Sequence, residues 1–258
     1  MDRVVLVTGA SSGIGRAAAV RLAAAGNRVI VHGRDPARTD EVARLVGGAP
    51  LVGDLSLPGA GAEIAERALA VHGKVDAVVN NAGIGWSGPL VRMPRETSQE
   101  LLAINLIAPI ELTNALLPGM IQRRTGVVCF VGSIAGRLGV AGEAVYSAAK
   151  SGIDGFAESL RYELAGSGVA VGVVVPGAVR TPFFDRRGRA YDRSFPKPVE
   201  ADRVAAAVQT AVETGRAEVY VPRWLRLPVL ARAIAPTVFN RLATRFGEPV
   251  RSSDGTAA

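Results

Sequence analysis

Runs of residues that are apolar at every position recur along this chain, and most are followed by an alanine-rich stretch of helical character. Such runs cannot form half-exposed strands. With a side-chain period of two, both faces of the pleat are hydrophobic, so both must be covered. A parallel sheet with helices on both faces meets that need. The pattern predicts strands at 3–8, 28–33, 50–52, 75–80, 126–132, 169–175 and 218–221, and helices at 13–25, 37–46, 60–72, 98–121, 144–165 and 200–214. The expected fold class is α/β, a doubly wound parallel sheet of about seven strands, and 258 residues suit a single domain. Gly26-Asn27 ends the first helix, and Thr97-Ser98-Gln99-Glu100 reads as a capping box for the long one. Pro109 is expected to kink that helix one turn past Asn105.

Composition removes several function classes. The lone Cys129 cannot form an internal disulfide, and its apolar run marks it as a buried small hydrophobe. With only His32 and His72 beside it, no zinc cluster is expected, nor any other metal site. The apolar run after Met1-Asp2-Arg3 is too short for a signal peptide, and no stretch reads as a membrane span, so the cytoplasm is the default location. The net charge of +7 sits in two late segments, +4 in 180–197 and +4 in 223–258, leaving the rest near −1. A nucleic-acid footprint would spread differently, and no nucleic-acid partner is expected.

The first strand runs into Thr8-Gly9-Ala10-Ser11-Ser12-Gly13-Ile14-Gly15 and then a helix. A pyrophosphate sits well at such a helix N-terminus, where free N–H groups and the dipole favour negative charge. Glycines there let backbone approach phosphate and pack on the sheet. The T-G-x-x-x-G-x-G spacing resembles that of the short-chain dehydrogenase/reductase family, a likeness covering roughly residues 3–222. It implies a Rossmann-type domain over 1–222, with Gly9, Ser11, Ser12, Gly13, Ile14 and Gly15 at the cofactor. In that family an Asp at the end of strand two selects NAD, whereas a basic residue accepts a 2′-phosphate. Here Gly33 stands at that place and Arg34 follows, which favours NADP(H). Asp35-Pro36 reads as a helix cap, and His32 as a packed strand residue ahead of a phosphate contact. Asp54-Leu55 matches the segment beside the adenine ring, though a plain turn aspartate fits too. Asn80-Asn81-Ala82-Gly83 matches the family's N-N-A-G motif, which implies Asn81, Ala82 and Gly83 along the cofactor. Trp86 is either a wall of the substrate pocket or a surface aromatic.

Ser133 ends strand five, and Tyr146 and Lys150 lie four apart, on one helical face. Reduction of a carbonyl needs a hydride at carbon and a proton at oxygen. A free tyrosine titrates near pH ~10, and a neighbouring ammonium, with the oxidised nicotinamide also positive, is expected to pull it toward the working range. By resemblance, Ser133, Tyr146, Lys150 and Asn105 form the catalytic set. Tyr146 is the acid/base, Lys150 also holds the nicotinamide ribose, and Asn105 positions a water toward the lysine. Asn105 can equally be an ordinary helix residue. The segment Pro176-Gly177-Ala178-Val179-Arg180-Thr181 resembles the family's P-G stretch, which implies Pro176, Gly177, Val179 and Thr181 as cofactor ligands. The resemblance also implies a homodimer or homotetramer, with the helix around 159–164 pairing with the long helix across the interface.

Residues 183–199 fall where the family places its substrate loop, and a solvated, mobile lid is preferred over an anion clamp. Residues 223–258 form a basic amphipathic extension with apolar positions at Leu227, Leu230, Ile234, Val238 and Leu242. Pocket cover or a subunit interface ranks ahead of an anionic membrane surface. The leading function is hydride transfer between NADP(H) and an alcohol or carbonyl substrate, the tail hinting at a hydrophobic one. The alternatives are a catalytically silent NADP(H)-binding regulator and a peripheral membrane protein.

Overall fold

The computed structural model describes residues 2–189, 191 and 196–246, the side chain of Phe246 excepted. The expected charges at Asp192, Arg193, Glu248, Arg251 and Asp254 lie outside the described residues. The first half runs β1 (Val4–Val7), α1 (Gly13–Ala24), β2 (Arg28–Gly33), α2 (Pro36–Val46), β3 (Ala49–Val52), α3 (Ala60–His72) and β4 (Ala77–Asn80). The second continues through α4 (Arg95–Leu102), a π turn (Ala103–Ile107), α5 (Ala108–Gln122), β5 (Gly126–Val131), α6 (Ile134–Leu138) and α7 (Ala144–Glu163). Then come β6 (Val169–Pro176), β7 (Val179–Arg180), α8 (Phe183–Arg186), β8 (Val199–Glu200), α9 (Ala201–Thr214) and β9 (Glu218–Val221). Two helices follow, α10 (Arg226–Ile234) and α11 (Pro236–Phe246).

Seven strands form one parallel sheet in the order β3-β2-β1-β4-β5-β6-β9. Alternate residues of each strand enter opposite cores. Val4 and Leu6 pack with α3, α5 and α7, and Val5 and Val7 pack with α1, α2 and α9. This is the Rossmann-type arrangement that uniformly apolar strands demand. The order in which successive strands are added reverses between β1 and β4, and in such sheets that point opens a crevice at the strands' C-terminal ends.

The long helix departs from expectation at two places. The capping box at Thr97–Glu100 does not form. The helix begins two residues before Thr97, at Arg95, behind the extended Pro94, and the Ser98 hydroxyl donates to the Arg95 carbonyl at 2.7 Å. Glu96 in the first turn favours that earlier start. Pro109 does not simply kink the rod, either. Its ring crowds the Asn105 carbonyl four residues back and it has no N–H to give. The backbone widens into the π turn just before it, closed by the Ala108 N–H on the Ala103 carbonyl. Residues Arg95–Gln122 are the one described helical run long and apolar enough to cross a bilayer. Leu112, Leu116 and Met120 of that run are buried in the core beside α3 and α7.

Candidate active site

A crevice of about 890 Å³ opens above the C-terminal ends of β1, β4, β5 and β6. Every residue expected at the site lines it, except Gly15 and Asn105. Those two lie behind the wall and shape it. A Cβ on Gly15 would stand 2.3 Å from the Gly9 carbonyl oxygen and 2.5 Å from Asn81 Nδ2, so only glycine lets α1 start this close to β1 and β4. Gly9, at φ +63°, faces Ala82 Cα, which a Cβ would meet at 2.8 Å.

The Thr8 hydroxyl ties the turn to the N-N-A-G segment. It accepts from the Asn81 and Ala82 N–H groups at 3.0 Å each, and Asn81 Nδ2 donates to the Thr8 carbonyl at 2.8 Å. Sequence reading assigned Thr8 no role of its own, although it stands in the motif.

At the β2 end of the crevice, a Cβ on Gly33 would meet Thr39 Oγ1 at 2.4 Å and Ser11 Oγ at 3.1 Å. An acidic side chain there has no room. Arg34 lines the crevice, with its guanidinium 4.0 Å from Asp54 and 3.7 Å from Glu100. Asp35 caps α2 by accepting from the Arg38 N–H at 2.9 Å. Arg38, unremarked in the sequence, is a second basic side chain on this wall, 3.1 Å from Asp35. His32 is buried, and burial first of all pushes its pKa down to about 4. Its Nδ1 accepts from the Gly9 N–H at 3.4 Å, so the neutral ring packs under the turn. Burial likewise pushes the Cys129 thiol up to about 12, which leaves it inert.

The floor is built by α6 and α7. Ser133 follows β5 and caps α6, its hydroxyl accepting from the Ala135 N–H at 3.1 Å. Gly136 lets α6 lie on α7, since a Cβ there would come within 2.8 Å of the Lys150 backbone. That contact sets the Ser133 hydroxyl on the same side of the floor as Tyr146, near enough to draw the phenol's pKa downward. One turn on, the buried Lys150 ammonium donates to the Val131 carbonyl at 3.0 Å and lies 5.8 Å from the centroid of the Tyr146 ring. Asn105, in the π turn, clasps Ile84: Nδ2 donates to the Ile84 carbonyl at 2.7 Å, and Oδ1 accepts its N–H at 3.1 Å. Asn105 and Lys150 both border Gly83, where a Cβ would lie 2.6 Å from Asn105 Oδ1 and 3.7 Å from Lys150 Nζ.

The protein's own groups push Tyr146 up to about 12: burial dominates, the Ser133 hydroxyl and the Arg187 charge oppose it, and Glu143 adds to it. Lys150 is lowered to about 8 by its own burial, against the pull of Asp154 one turn further on α7. A buried ammonium bound to a backbone carbonyl does not outweigh desolvation of the phenol.

Residues 183–187 are not wholly a solvated lid. Arg187 is 8% exposed and ion-paired to Glu143, and its guanidinium lies 4.5 Å from the Phe184 ring centroid. Phe183 packs on Tyr146 with centroids 5.6 Å apart, and Trp86 joins the same wall. Nothing from 223–246 lines the crevice, so the expected pocket cover is not formed by these residues. Helix α10 packs instead on α6, with Val229 against the core.

A doubly wound sheet with a glycine cradle at its switch point and Ser, Tyr and Lys on the floor defines an oxidoreductase of the nucleotide-binding α/β class. The sequence model of the family described as short chain dehydrogenase matches residues 3–192. Among curated relatives, the mouse dehydrogenase/reductase SDR family member 7B is 31% identical, covering 98% of this chain and 83% of its own length. The 3-oxoacyl-[acyl-carrier-protein] reductase FabG of Escherichia coli is 38% identical over 69% of this chain and 74% of its own. A solved short-chain dehydrogenase from Sphingobium yanoikuyae, in complex with NADPH, superposes with TM-score 0.80 at 29% identity, over 99% of this chain and all of that one. This chain belongs to the short-chain dehydrogenase/reductase family.

Proposed function

We propose that this protein interconverts an apolar carbonyl compound and its alcohol with NADP(H), using Tyr146 as acid and base. The observation that carries the reading is that Ser133, Tyr146 and Lys150 meet on the crevice floor, with the Lys150 ammonium 5.8 Å from the centroid of the Tyr146 ring. The cradle fits a dinucleotide: Gly9, Gly13 and Gly15 leave backbone where a Cβ would fill the turn, and Thr181 closes on Gly13 from the other side. Arg34 and Arg38, with no acid at Gly33, suit a 2′-phosphate. Asp54 and Leu55 flank the adenine position. Pro176, Gly177 and Val179 carry the opposite wall toward the nicotinamide end.

A reduced nicotinamide supplies the hydride when bound. Ser133 holds the substrate oxygen, and Tyr146 gives that oxygen its proton as the carbonyl becomes an alcohol. Lys150 stabilises the tyrosinate left behind and returns a proton to it, fed by a water that Asn105 positions. Trp86, Phe183, Phe184 and Tyr191 line the crevice and favour an apolar substrate. A panel of ketones and aldehydes read by NADPH absorbance tests the reading. A silent regulator would turn over none of them.

Two substitutions probe the cofactor end. Arg34→Ala is expected to weaken NADPH binding by roughly tenfold to a hundredfold, the worth of a charge-assisted hydrogen bond, and to leave NADH nearly unchanged. Equal losses for both would exclude a 2′-phosphate contact. Gly15→Ala is expected to weaken both cofactors at least about tenfold in a fluorescence titration, because its Cβ displaces the turn from Asn81.

The π turn and helices α5 and α7 expose Ile107, Ile121 and Tyr162 respectively. That supports a homodimer or homotetramer through these helices, a proposal that analytical ultracentrifugation tests.

A further inference from the structure

The last two described helices form a surface that the crevice does not use. Between residues 223 and 246 the chain carries five arginines and no acidic residue. On α10, Leu227, Leu230 and Ile234 are 66%, 44% and 84% exposed. On α11, Val238 and Leu242 are 56% and 51% exposed. These positions recur at three and four residues, so each helix shows an apolar stripe. Arg226 and Arg241 stand exposed one residue from Leu227 and Leu242, which puts positive charge at the stripe's edge. Helix α10 is anchored from behind. Val229 meets the core, and the Arg232 guanidinium donates to the Arg137 carbonyl at the end of α6. Helix α11 packs chiefly on α10, which leaves most of its surface uncovered.

We propose that α10 and α11 dock this protein on an anionic lipid surface, apolar stripe down and arginines at the headgroups. Exposed leucines and isoleucine gain by entering the acyl boundary, and arginines bordering them meet phosphate there. Charge decides between occupants. A second copy meeting this face across a two-fold axis would set arginine against arginine with no acid among residues 223–246 to separate them, whereas anionic headgroups complement the exposed Arg226 and Arg241. The attachment also has a geometry. Helix α10 sits on α6, whose Ile134 and Ala135 line the crevice, so docking brings a crevice wall within about a helix diameter of the lipid.

The test is sedimentation of the full chain with vesicles of phosphatidylcholine alone or mixed with phosphatidylglycerol. Binding to the mixed vesicles is expected to be at least about tenfold stronger and to weaken as salt is raised. The triple substitution Leu230→Ser, Ile234→Ser, Leu242→Ser is expected to reduce it at least about tenfold. The pair Arg226→Glu, Arg241→Glu should do the same, and both variants should keep the wild-type melting temperature and NADPH turnover of a soluble substrate. Protein that stays in the supernatant with anionic vesicles overturns the proposal. So does lipid-free self-association that the same triple substitution abolishes, which would make the stripe a contact between copies. Turnover is read separately, so failure here leaves the catalytic reading standing.

Discussion

Tyr146→Phe is expected to lower kcat by about three orders of magnitude, within the range that a positioned general acid supplies. The protein should otherwise change little. The ring keeps its packing on Phe183, and Ser133 keeps the Ala135 N–H. NADPH affinity, by fluorescence, should stay near wild type. On the proposed mechanism the hydroxyl gives up its proton in the reducing direction, and burial, which pushes the phenol up to about 12, keeps that proton on it. Turnover that survives this change would remove Tyr146 from the chemistry.

Lys150→Met carries the second large effect, expected at about two orders of magnitude in kcat, together with a changed pH profile. Burial lowers Lys150 to about 8. Below that pH the ammonium is present to stabilise the tyrosinate and return its proton. Above it the charge is lost, and carbonyl reduction by the wild type should fall with a limb near pH 8. The methionine variant should lack that limb. Stability moves the other way. A lysine whose folded pKa lies below its unfolded value of ~10.4 opposes folding while charged, and that penalty fades as pH rises from about 8 toward ~10.4. Wild-type stability should therefore gain relative to the variant across that window in urea titrations at stepped pH. A wild-type profile flat through pH 8 would place the proton relay elsewhere.

Strands of the main sheet were legible because burial on both faces leaves no ambiguity of period: β2 and β9 fall on the expected residues, and the other five shift by two residues or fewer at either end, whereas the two-residue strands β7 and β8 were not anticipated. The cofactor turn was legible for a different reason, since each glycine answers a close approach that no other residue permits. What stayed hidden was tertiary. The π turn depends on how Pro109 meets the sheet, and no local pattern distinguishes it from a kink. Arg187 reads as one more charge in a basic loop, and only its pairing with Glu143, 44 residues earlier, buries it. The direction of the Tyr146 shift was hidden too, because i,i+4 spacing reports proximity to Lys150 but not the depth at which both lie.

Glu143 immediately precedes α7 (Ala144–Glu163), the helix that presents Tyr146, and it grips Arg187 from the far side of the crevice. On the proposed mechanism, the jaw that would admit substrate and the rod that would deliver the proton are thus fastened at one rivet. Any ligand bulky enough to prise Phe184 and Arg187 outward must also tug on the first turn of that rod, so selectivity and proton delivery answer to a single mechanical joint.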